Sequence, residues 1–387
     1  MLGRHAALPL PHAVRTHPAA GRAHLRDVDA ERRQPQGGDV HRAHLPRGRC
    51  RHLHVGPRSR QEGRPRVTDG PPEPTLAEIV AARARLHGRI HVTPLLTARS
   101  LSRPGAELRL KCENLQKVGA FKARGALNHL LLLPPERRAR GVLTYSSGNH
   151  GAALAWAARE LGVAATIFVP EDIPAGKRAA IEGYGGAVVV AGRTSRDRKQ
   201  ACEAAAASSG GAIVPPFDDP WIVAGQGTCG LEIVEQAGDV ARVLVPVGGG
   251  GLLAGTALAI RSLRPAVEVI GVEPAAAASM QAALAAGRPV EIAVGDTIAD
   301  GLKPVQVGAL NHALVARRVT RMVTVTDDAI RAAMRLLLER CKLVVEPSGA
   351  VTVAAWLALA DAERSGVSVA LLSGGNVDAN RLARLLV

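Results

Sequence analysis

A single lysine in apolar surroundings is the first residue of the sequence that could do specific chemistry. Lys122 lies in the stretch VGAFKARGA, residues 118–126, between a phenylalanine and small residues. The chain holds only 7 lysines against 42 arginines. A surface charge can be either residue, whereas chemistry that needs a neutral primary amine requires lysine, because arginine keeps its proton in proteins. The alternative is an ordinary lysine on the surface of a helix.

Four consecutive glycines form the second candidate site. In VPVGGGGLLAG, residues 245–255, the glycines Gly248, Gly249, Gly250 and Gly251 join an apolar strand to a helix. Such a loop exposes backbone N–H groups at a helix N-terminus, where a phosphate binds without charged side chains. The pattern is neither a Walker loop nor a GxGxxG in its usual context. A tight turn needs only one or two glycines, so the run favours phosphate binding.

Two further turns follow predicted strands. In SSGNHG, residues 146–151, the candidate donors to a carboxylate at a helix N-terminus are Ser147, Gly148, Asn149 and His150. Serine and asparagine also cap helices commonly, so capping is the alternative there. LLSGGN, residues 371–376, places Ser373 at a strand end, where open α/β sheets present their ligands. An ordinary turn is the alternative for this segment.

Taken together, the lysine and the three turns favour a phosphorylated cofactor that is held covalently. Pyridoxal phosphate needs a phosphate cradle, a lysine, a partner for its ring nitrogen and a carboxylate site for an amino acid. The sequence offers a candidate for each of these four parts.

The elements around these turns alternate between strand and helix from about Thr75 onward. The segment 74–90 has helical spacing, and TPLLTARSLS, residues 93–102, is predicted to be a loop. Strands are predicted at 107–113, 141–147, 164–170, 187–192, 241–247, 267–274 and 367–375, and helices at 151–162, 177–186, 252–264, 328–341 and 349–363. Repeated βα units with Val-, Ile- and Leu-rich strands predict an α/β fold with parallel sheets that are covered on both faces.

Composition excludes several classes of protein. The net charge of +15 suggests a nucleic-acid partner, but residues 1–72 hold 14 arginines against 6 acids, and the other 315 residues hold 35 basic against 28 acidic groups. Without interleaved aromatics or a binding motif, a basic nucleic-acid-binding protein is a remote alternative. No apolar run reaches the length of a membrane span, so we expect no membrane partner. Five cysteines without a CxxC pair favour a reducing, cytoplasmic location.

Residues 1–72 differ in composition from the rest of the chain. They hold eight of the 13 histidines and no Lys, Ile, Asn, Phe, Tyr or Trp. Such a stretch cannot bury enough apolar surface to offset its ordering entropy. The histidine spacing matches no pattern of metal ligands. We therefore expect a disordered tail, or a spurious extension that is translated from too early a start.

Seven ordered motifs of the sequence resemble those of a known family. GAFKARGALN, SSGNHG, AGQGT, VPVGGGGLLAG, TIADGLK, VVEPSGA and LSGGNVD occur in the order found in the pyridoxal-phosphate-dependent threonine/serine dehydratase and serine racemase family, which has a tryptophan-synthase-β-like fold. The resemblance covers roughly 310 residues from about residue 75 onward. It implies fold type II, with two α/β domains and the cofactor in the cleft between them. Residues 75–140 and 219–387 would form the large cofactor-binding domain, and residues 141–218 the small domain.

The resemblance also implies a role for each matching residue. Lys122 would be the catalytic Schiff-base lysine, Phe121 would flank the cofactor ring, and Asn149 would hydrogen-bond the 3-hydroxyl group. The phosphate would be held by Gly248, Gly249, Gly250 and Gly251, and Ser373 would face the ring nitrogen. The substrate carboxylate would bind at Ser147, Gly148, Asn149 and His150, with Ser147 also catalytic on the opposite ring face. Glu346 would lie at the substrate end of the cleft.

Two positions depart from the family pattern. Ala120 replaces the usual serine before Phe-Lys. Racemase-type members bind a divalent cation through a glutamate and an acid six residues later, which here are Glu273 and Ser279. A hard cation prefers several oxygen ligands that include carboxylates, so a tight divalent site is not predicted, and Glu273 is only a weak candidate ligand.

The implied function is β-elimination from L-threonine and/or L-serine, which yields a 2-oxo acid and ammonia. Serine racemase and 3-hydroxyaspartate ammonia-lyase are the alternatives within the family. The first would use Ser147 to reprotonate the substrate, and the second would need a cation for the second carboxylate of its substrate. A small amino acid is the expected substrate, and the enzyme is expected to be a homo-oligomer, either a dimer or a tetramer.

Overall fold

The computed structural model describes residues 53–54, 73–146 and 148–387. Most of the segment 1–72 and Ser147 therefore lie outside the described residues. The predicted fold class is confirmed: strands and helices alternate along the chain and build two sheets.

The strands are β1 (Leu53–His54), β2 (Leu95–Thr97), β3 (Ala106–Cys112), β4 (Val142–Thr144), β5 (Ala165–Val169), β6 (Ala187–Val190), β7 (Ala212–Ile213), β8 (Val240–Pro246), β9 (Glu268–Pro274), β10 (Arg321–Val325) and β11 (Gly366–Leu372). The helices are α1 (Leu76–Leu86), α2 (Lys122–Leu132), α3 (Pro135–Arg138), α4 (Asn149–Glu160), α5 (Ala175–Gly183), α6 (Ser195–Ser209), α7 (Pro220–Gln236), α8 (Gly251–Leu263), α9 (Ser279–Ala286), α10 (Ala309–Arg318), α11 (Asp327–Cys341), α12 (Pro347–Ala358) and α13 (Ala379–Leu386). All seven predicted strands are present.

The larger sheet has seven strands in the order β1-β10-β9-β8-β11-β3-β2. The five central strands pair in parallel, and β1 and β2 pair antiparallel at the two edges. Successive residues of β11 alternate between two cores: Val369 and Leu371 pack with α7 and α8, whereas Ala370 and Leu372 pack with α11 and α12. Because side chains of a strand point to opposite faces in turn, helices cover both faces of this sheet, as predicted.

The smaller sheet has four parallel strands in the order β6-β5-β4-β7. Its faces are also both covered. Val142 and Ile167 pack against α2 and α4, and the next residue of each strand, Leu143 and Phe168, packs against α6. All four strands lie within the segment 141–218 that the sequence assigns to a small domain, and the division into domains stays a prediction.

One local prediction was wrong. Leu95–Thr97, which was expected to belong to a loop, forms β2, where Leu96 pairs with Leu110 of β3. A three-residue edge strand is too short to show an apolar period. By contrast, α1 begins where the sequence predicts a helix because Thr75 and Glu78 form a capping box, in which each side chain bonds the backbone N–H of the other residue.

The parallel strands determine where the candidate residues meet. β8 leads into the glycine loop, β11 leads into Ser373, and these two strands are direct neighbours in the larger sheet. β4 of the smaller sheet leads towards α4 and Asn149. The carboxyl ends of such strands form the edge at which α/β sheets bind ligands.

Candidate active site

Lys122 is the first residue of α2 and lies beside a cavity. Its Nζ donates a hydrogen bond to the carbonyl oxygen of Pro216 at 2.5 Å and lies 5.1 Å from the centre of the Phe121 ring. Burial lowers the pKa of Lys122 to about 8. A neutral amine is therefore accessible near neutral pH, as a nucleophile or a base requires.

A buried ion network fixes the helix that carries Lys122. The Arg124 side chain is fully buried and donates to Glu113 at 2.7 Å and to Glu232 at 2.6 Å. Lys111 also donates to Glu232, so two cations meet two carboxylates. Removing one partner of a buried network usually costs about 3 to 5 kcal/mol, because a charge is left unpaired. The network therefore holds the start of α2 firmly against β3 and α7.

The glycine loop is packed so closely that most of its positions exclude a side chain. A Cβ on Gly249 would lie 2.2 Å from the Phe217 ring, and one on Gly251 would lie 2.9 Å from the Phe217 carbonyl oxygen. Gly250 has φ +95°, in the region that favours glycine. A tight turn alone would not explain these contacts.

The same loop leaves the N-terminus of α8 free for an anion. Gly250 precedes the helix and supplies no side-chain cap to its first N–H groups. These groups adjoin the cavity, which Gly248 to Gly251 line. Uncapped N–H groups at a helix N-terminus attract phosphate through hydrogen bonds and the helix dipole. The residues present therefore fit the phosphate group of a cofactor.

The second helix N-terminus at the cavity is that of α4. Gly148 precedes the helix and makes no side-chain cap to its first N–H groups. The Asn149 amide instead donates from Nδ2 to Glu346 Oε1 at 2.7 Å, and its Oδ1 accepts from Asn376 Nδ2 at 2.8 Å. Ser147, for which a catalytic role was predicted, lies outside the described residues. The backbone N–H groups of this turn remain suited to a carboxylate.

The ring of His150 is engaged by the protein. Its Nε2 donates to the carbonyl oxygen of Val214 at 3.1 Å, and burial lowers its pKa to about 3. The imidazole is therefore neutral at pH 7. What His150 can offer a substrate carboxylate is its backbone N–H rather than a charged side chain.

Glu346 is a buried carboxyl group at the cavity. Burial, followed by the neighbouring Asp300 carboxylate, raises its pKa to about 7, against the opposing effect of the Asn149 hydrogen bond. Asp300 accepts from Lys177 at 2.5 Å and from Arg381 at 3.0 Å. A large share of Glu346 is therefore protonated at pH 7.

Ser373 follows β11 and is buried at the cavity. Its Oγ donates a long hydrogen bond of 3.4 Å to the carbonyl oxygen of Ser348. Its backbone oxygen accepts from the N–H of Phe121 at 3.1 Å, which ties this turn to the residue before Lys122.

One cavity of about 350 Å³ brings the predicted residues together. It is lined by Phe121, Lys122, Gly148, Asn149, His150, Gly248, Gly249, Gly250, Gly251, Glu346 and Ser373. This volume is within the range of small-molecule sites.

Several lining residues were not predicted. Those with charged or aromatic side chains are Tyr145, Lys177, Arg198, Phe217, Asp300 and Lys303. Asp300 and Lys303 belong to the TIADGLK motif, which could have indicated them, whereas Lys177 and Arg198 lie in helices without any such signal.

Glu273 lies apart from this cavity. It is fully buried, and its two carboxylate oxygens accept from the backbone N–H groups of Met280 at 2.7 Å and Gln281 at 3.0 Å at the start of α9. Burial raises its pKa to about 8. Within the described ranges, no three His, Cys, Asp or Glu side chains gather as metal ligands would.

Comparisons with known proteins agree on one family. Residues 86–374 match the model of a family described as pyridoxal-phosphate dependent enzymes. The chain is 44% identical to L-threonine ammonia-lyase of Geobacter sulfurreducens, over 79% of this chain and 76% of that protein. It is 43% identical to L-threo-3-hydroxyaspartate ammonia-lyase of Saccharomyces cerevisiae, over 81% and 96% respectively. The solved structure of maize serine racemase is similar, with a TM-score of 0.77, 35% identity, and coverage of 80% of this chain and 96% of that one.

Proposed function

The chain belongs to the family of pyridoxal-phosphate dependent enzymes, and we propose that it is an ammonia-lyase acting on L-threonine and/or L-serine. The reaction removes the α-proton and the β-hydroxyl group as water, and hydrolysis then gives a 2-oxo acid and ammonia. L-Threonine would yield 2-oxobutanoate, and L-serine would yield pyruvate.

The proposal is carried by one observation. A partly buried lysine, an uncapped glycine loop and a second uncapped helix N-terminus meet in a single cavity. The lysine supplies an amine that can lose its proton, the loop suits a phosphate, and the second helix suits the carboxylate of an amino acid. These are the parts that an amino-acid enzyme of this family needs.

The cofactor would be held by residues of both sheets. Gly248 to Gly251 would bind its phosphate, Lys122 would link to it covalently, and Asn149 and Ser373 would contact its ring. Bound pyridoxal phosphate supplies an electron sink for a carbanion next to it. Ser373 is a hydroxyl and not a carboxylate, so it brings no negative charge that would keep a ring nitrogen protonated.

The chain's own groups would handle the protons and the substrate. The backbone N–H groups of Gly148, Asn149 and His150 would hold the substrate carboxylate at the start of α4. Lys122 would act as the general base that takes the α-proton, for which its lowered pKa suits it.

A second candidate, 3-hydroxyaspartate as substrate, is favoured by the charges that line the cavity. Lys177, Arg198 and Lys303 face it in addition to Lys122, against the two carboxyl groups of Asp300 and Glu346. Because much of Glu346 is protonated at pH 7, the excess of positive charge would favour a substrate with a second carboxylate. Serine racemase stays a further alternative, and no described contact favours it.

Product analysis tests the proposal. The purified holoenzyme would be incubated separately with L-threonine, L-serine, D-serine and threo-3-hydroxyaspartate, and 2-oxo acid, ammonia and serine enantiomers would be measured. We expect 2-oxobutanoate from L-threonine or pyruvate from L-serine, each with equal ammonia. Oxaloacetate formed much faster than either would establish the second candidate. Racemised serine without 2-oxo acid would contradict both.

Three broader expectations complete the proposal. We infer that residues 141–218 form a small domain, that the enzyme is a homo-oligomer, and that it works in the cytoplasm. The free thiols of Cys112, Cys202, Cys229 and Cys341 support a reducing compartment. None of the helices in the described part of the chain is long and apolar enough to cross a membrane. Sedimentation of the holoenzyme would distinguish a dimer from a tetramer.

A further inference from the structure

The turn before Lys122 has an unusual backbone. Val118 has φ 55° and Gly119 has φ 68°. A β-branched residue with positive φ is rare, because its side chain crowds the backbone, and such a conformation persists only where the surroundings enforce it. Ala120 and Phe121 alone separate this turn from Lys122, so whatever holds the turn also positions the lysine.

Asn376, just beyond the LLSGG turn, holds this backbone in place. Its Nδ2 donates to the carbonyl oxygen of Val118 at 2.8 Å, and the N–H of the preceding Gly375 donates to the carbonyl oxygen of Gly119 at 2.9 Å. Its Oδ1 lies so near Gly119 that a Cβ there would approach it to 2.5 Å. Asn376 therefore fits against the positive-φ backbone of Val118 and Gly119.

The contact with Val118 also determines which end of the Asn376 amide is the nitrogen and which is the oxygen. A backbone carbonyl only accepts hydrogen bonds, so the atom that meets it must be the amide nitrogen. The second N–H of that nitrogen meets Asn149 at 2.8 Å, and the Asn149 atom that receives it must be the oxygen, Oδ1. The Asn149 nitrogen consequently points to Glu346 Oε1, at 2.7 Å. Two amides, those of Asn376 and Asn149, are thus oriented from one backbone carbonyl.

We propose that Asn376 is a positioning residue that orients the Asn149 amide so that Asn149 offers the cavity an N–H and never its oxygen. Nδ2 of Asn149 has two N–H groups, and Glu346 takes one of them. The other is a donor at the cavity that Asn149 lines. A donor there suits an ionised oxygen on a ligand, whereas an exposed amide oxygen would repel it.

The inference rests on the proposed function, in which Asn149 contacts the 3-hydroxyl group of pyridoxal phosphate. The further inference is that this hydroxyl group binds in its ionised form. Asn376, which touches neither cofactor nor substrate, would set this preference for the anion by orienting the Asn149 amide.

Asn376→Asp is the direct test. An aspartate has nearly the same shape but cannot donate to Val118, so the Asn149 amide turns to donate to it and presents its oxygen to the cavity. The probes are pyridoxal phosphate and its 3-O-methyl ether, which cannot ionise at that oxygen. Dissociation constants are measured for both with apoprotein.

We expect the unmodified protein to prefer pyridoxal phosphate by about tenfold or more, the usual effect of a hydrogen bond to an ionised group. Asn376→Asp should remove most of that preference, and Asn376→Ala should reduce it. The absorbance of bound pyridoxal phosphate should titrate at higher pH in both variants, because the anion loses its donor.

Asn128→Asp is the matched control. Like Asn376, Asn128 has an Nδ2 that donates to a backbone carbonyl, that of Trp221 at 2.6 Å, but it is buried whereas Asn376 is exposed, and it does not line the cavity. It should leave the preference between the two probes unchanged, whatever its effect on melting temperature.

Three results would overturn the inference. The first is a folded Asn376→Asp variant that keeps the preference of the unmodified protein. The second is an equal loss of preference in Asn128→Asp, and the third is failure of both Asn376 variants to fold, which would make the residue one that serves the fold alone. Absence of 2-oxo acid from every substrate would instead refute the proposed function, while the binding preference would still be measurable.

Discussion

The ring of Phe217 lies against the α-carbon of Gly249 and fills the space that a side chain there would need. The residues on either side of Phe217 make equally specific contacts. Pro216 accepts the hydrogen bond from Lys122, and Asp218 accepts from the N–H of Ala309 at the start of α10. The segment 216–218 therefore contacts the lysine, the glycine loop and the start of α10.

Gly249→Ala should weaken cofactor binding by about tenfold, because overpacking of this kind costs roughly 1 to 3 kcal/mol. The new methyl group would lie 2.2 Å from ring atoms of Phe217, so the ring or the loop must move. The dissociation constant of pyridoxal phosphate from the variant measures the effect.

The double variant Gly249→Ala/Phe217→Ala identifies the cause. Removing the ring should restore part of the affinity that Gly249→Ala loses, so the two changes should not be additive. Gly238→Ala is the control, since no atom lies within 4 Å of its added Cβ. Purely additive losses would show that the collision with Phe217 is not what weakens the loop.

Lys122→Ala and Lys122→Arg should both abolish covalent attachment of the cofactor and turnover. Alanine has no amine, and the arginine guanidinium keeps its proton. Borohydride reduction followed by mass spectrometry of peptides checks the first point, and 2-oxo acid formation checks the second. A variant with cofactor still covalently bound at another lysine would mean that Lys122 is not the attachment site.

The lowered pKa of Lys122 predicts how the stability of the apoprotein depends on pH. The amine titrates at a pKa of about 8 in the folded state and about 10.4 when unfolded, so between these values the unfolded state binds more protons. Stability must then rise with pH across this window, by about 1 to 3 kcal/mol from this group. Below pH 8 the partly buried amine is charged, and the full cost of its desolvation destabilises the folded state.

Denaturant unfolding of the apoprotein at a series of pH values checks this. Lys122→Met lacks the titrating group, so it should exceed the unmodified protein in stability at pH 7 and lose that advantage as the pH rises to about 10.4. Lys199→Met, at an exposed lysine, controls for removal of a charge. A constant difference between Lys122→Met and the unmodified protein would show that the amine is not held in its neutral form.

Much of the fold could be predicted because its strands are long apolar runs and its ligand turns follow them directly. Val243, Leu244 and Val245 illustrate this: a strand buried on both faces shows no alternation and is recognised as a continuous run. β7 and β2 were missed because two or three residues carry no period. β10, RMVTV, was also missed: its apolar residues are few and are interrupted by Thr324, so it forms no continuous apolar run.

The site was predicted less completely, because its support comes from contacts distant in sequence. Asn376 and Asn149 are 227 residues apart, and Asn149 and Glu346 are 197 apart. No spacing rule links such positions. The glycine loop was predicted to bind a phosphate, but no local pattern relates Gly249 to Phe217, which occupies the space that a side chain at Gly249 would need.

The prediction that no tight divalent cation binds concerns Glu273. Both of its oxygens are used by backbone N–H groups of α9, and burial raises its pKa to about 8, so the carboxyl group is largely protonated at pH 7. Neither property suits a hard cation, which needs ionised and free oxygen ligands. We therefore expect 2-oxo acid formation to survive exhaustive chelation. Loss of most activity with chelator, and its return with Mg²⁺ or Ca²⁺, would contradict this.

Ser279→Asp should create a dependence on divalent cations. Ser279 is fully buried as the first residue of α9, six positions after Glu273, so an aspartate there would lie in an apolar site near a second carboxyl group. Without metal this should lower the melting temperature, because the new carboxylate would be buried without a positively charged partner. With Ca²⁺ or Mg²⁺ the two carboxylates become ligands, and binding to the folded state alone should raise the melting temperature as metal is added.

Ser279→Asn, which adds bulk without charge, is the control and should show no such response. A melting temperature of Ser279→Asp that metal does not change would mean that Glu273 stays engaged with α9 and that the position cannot form a cation site.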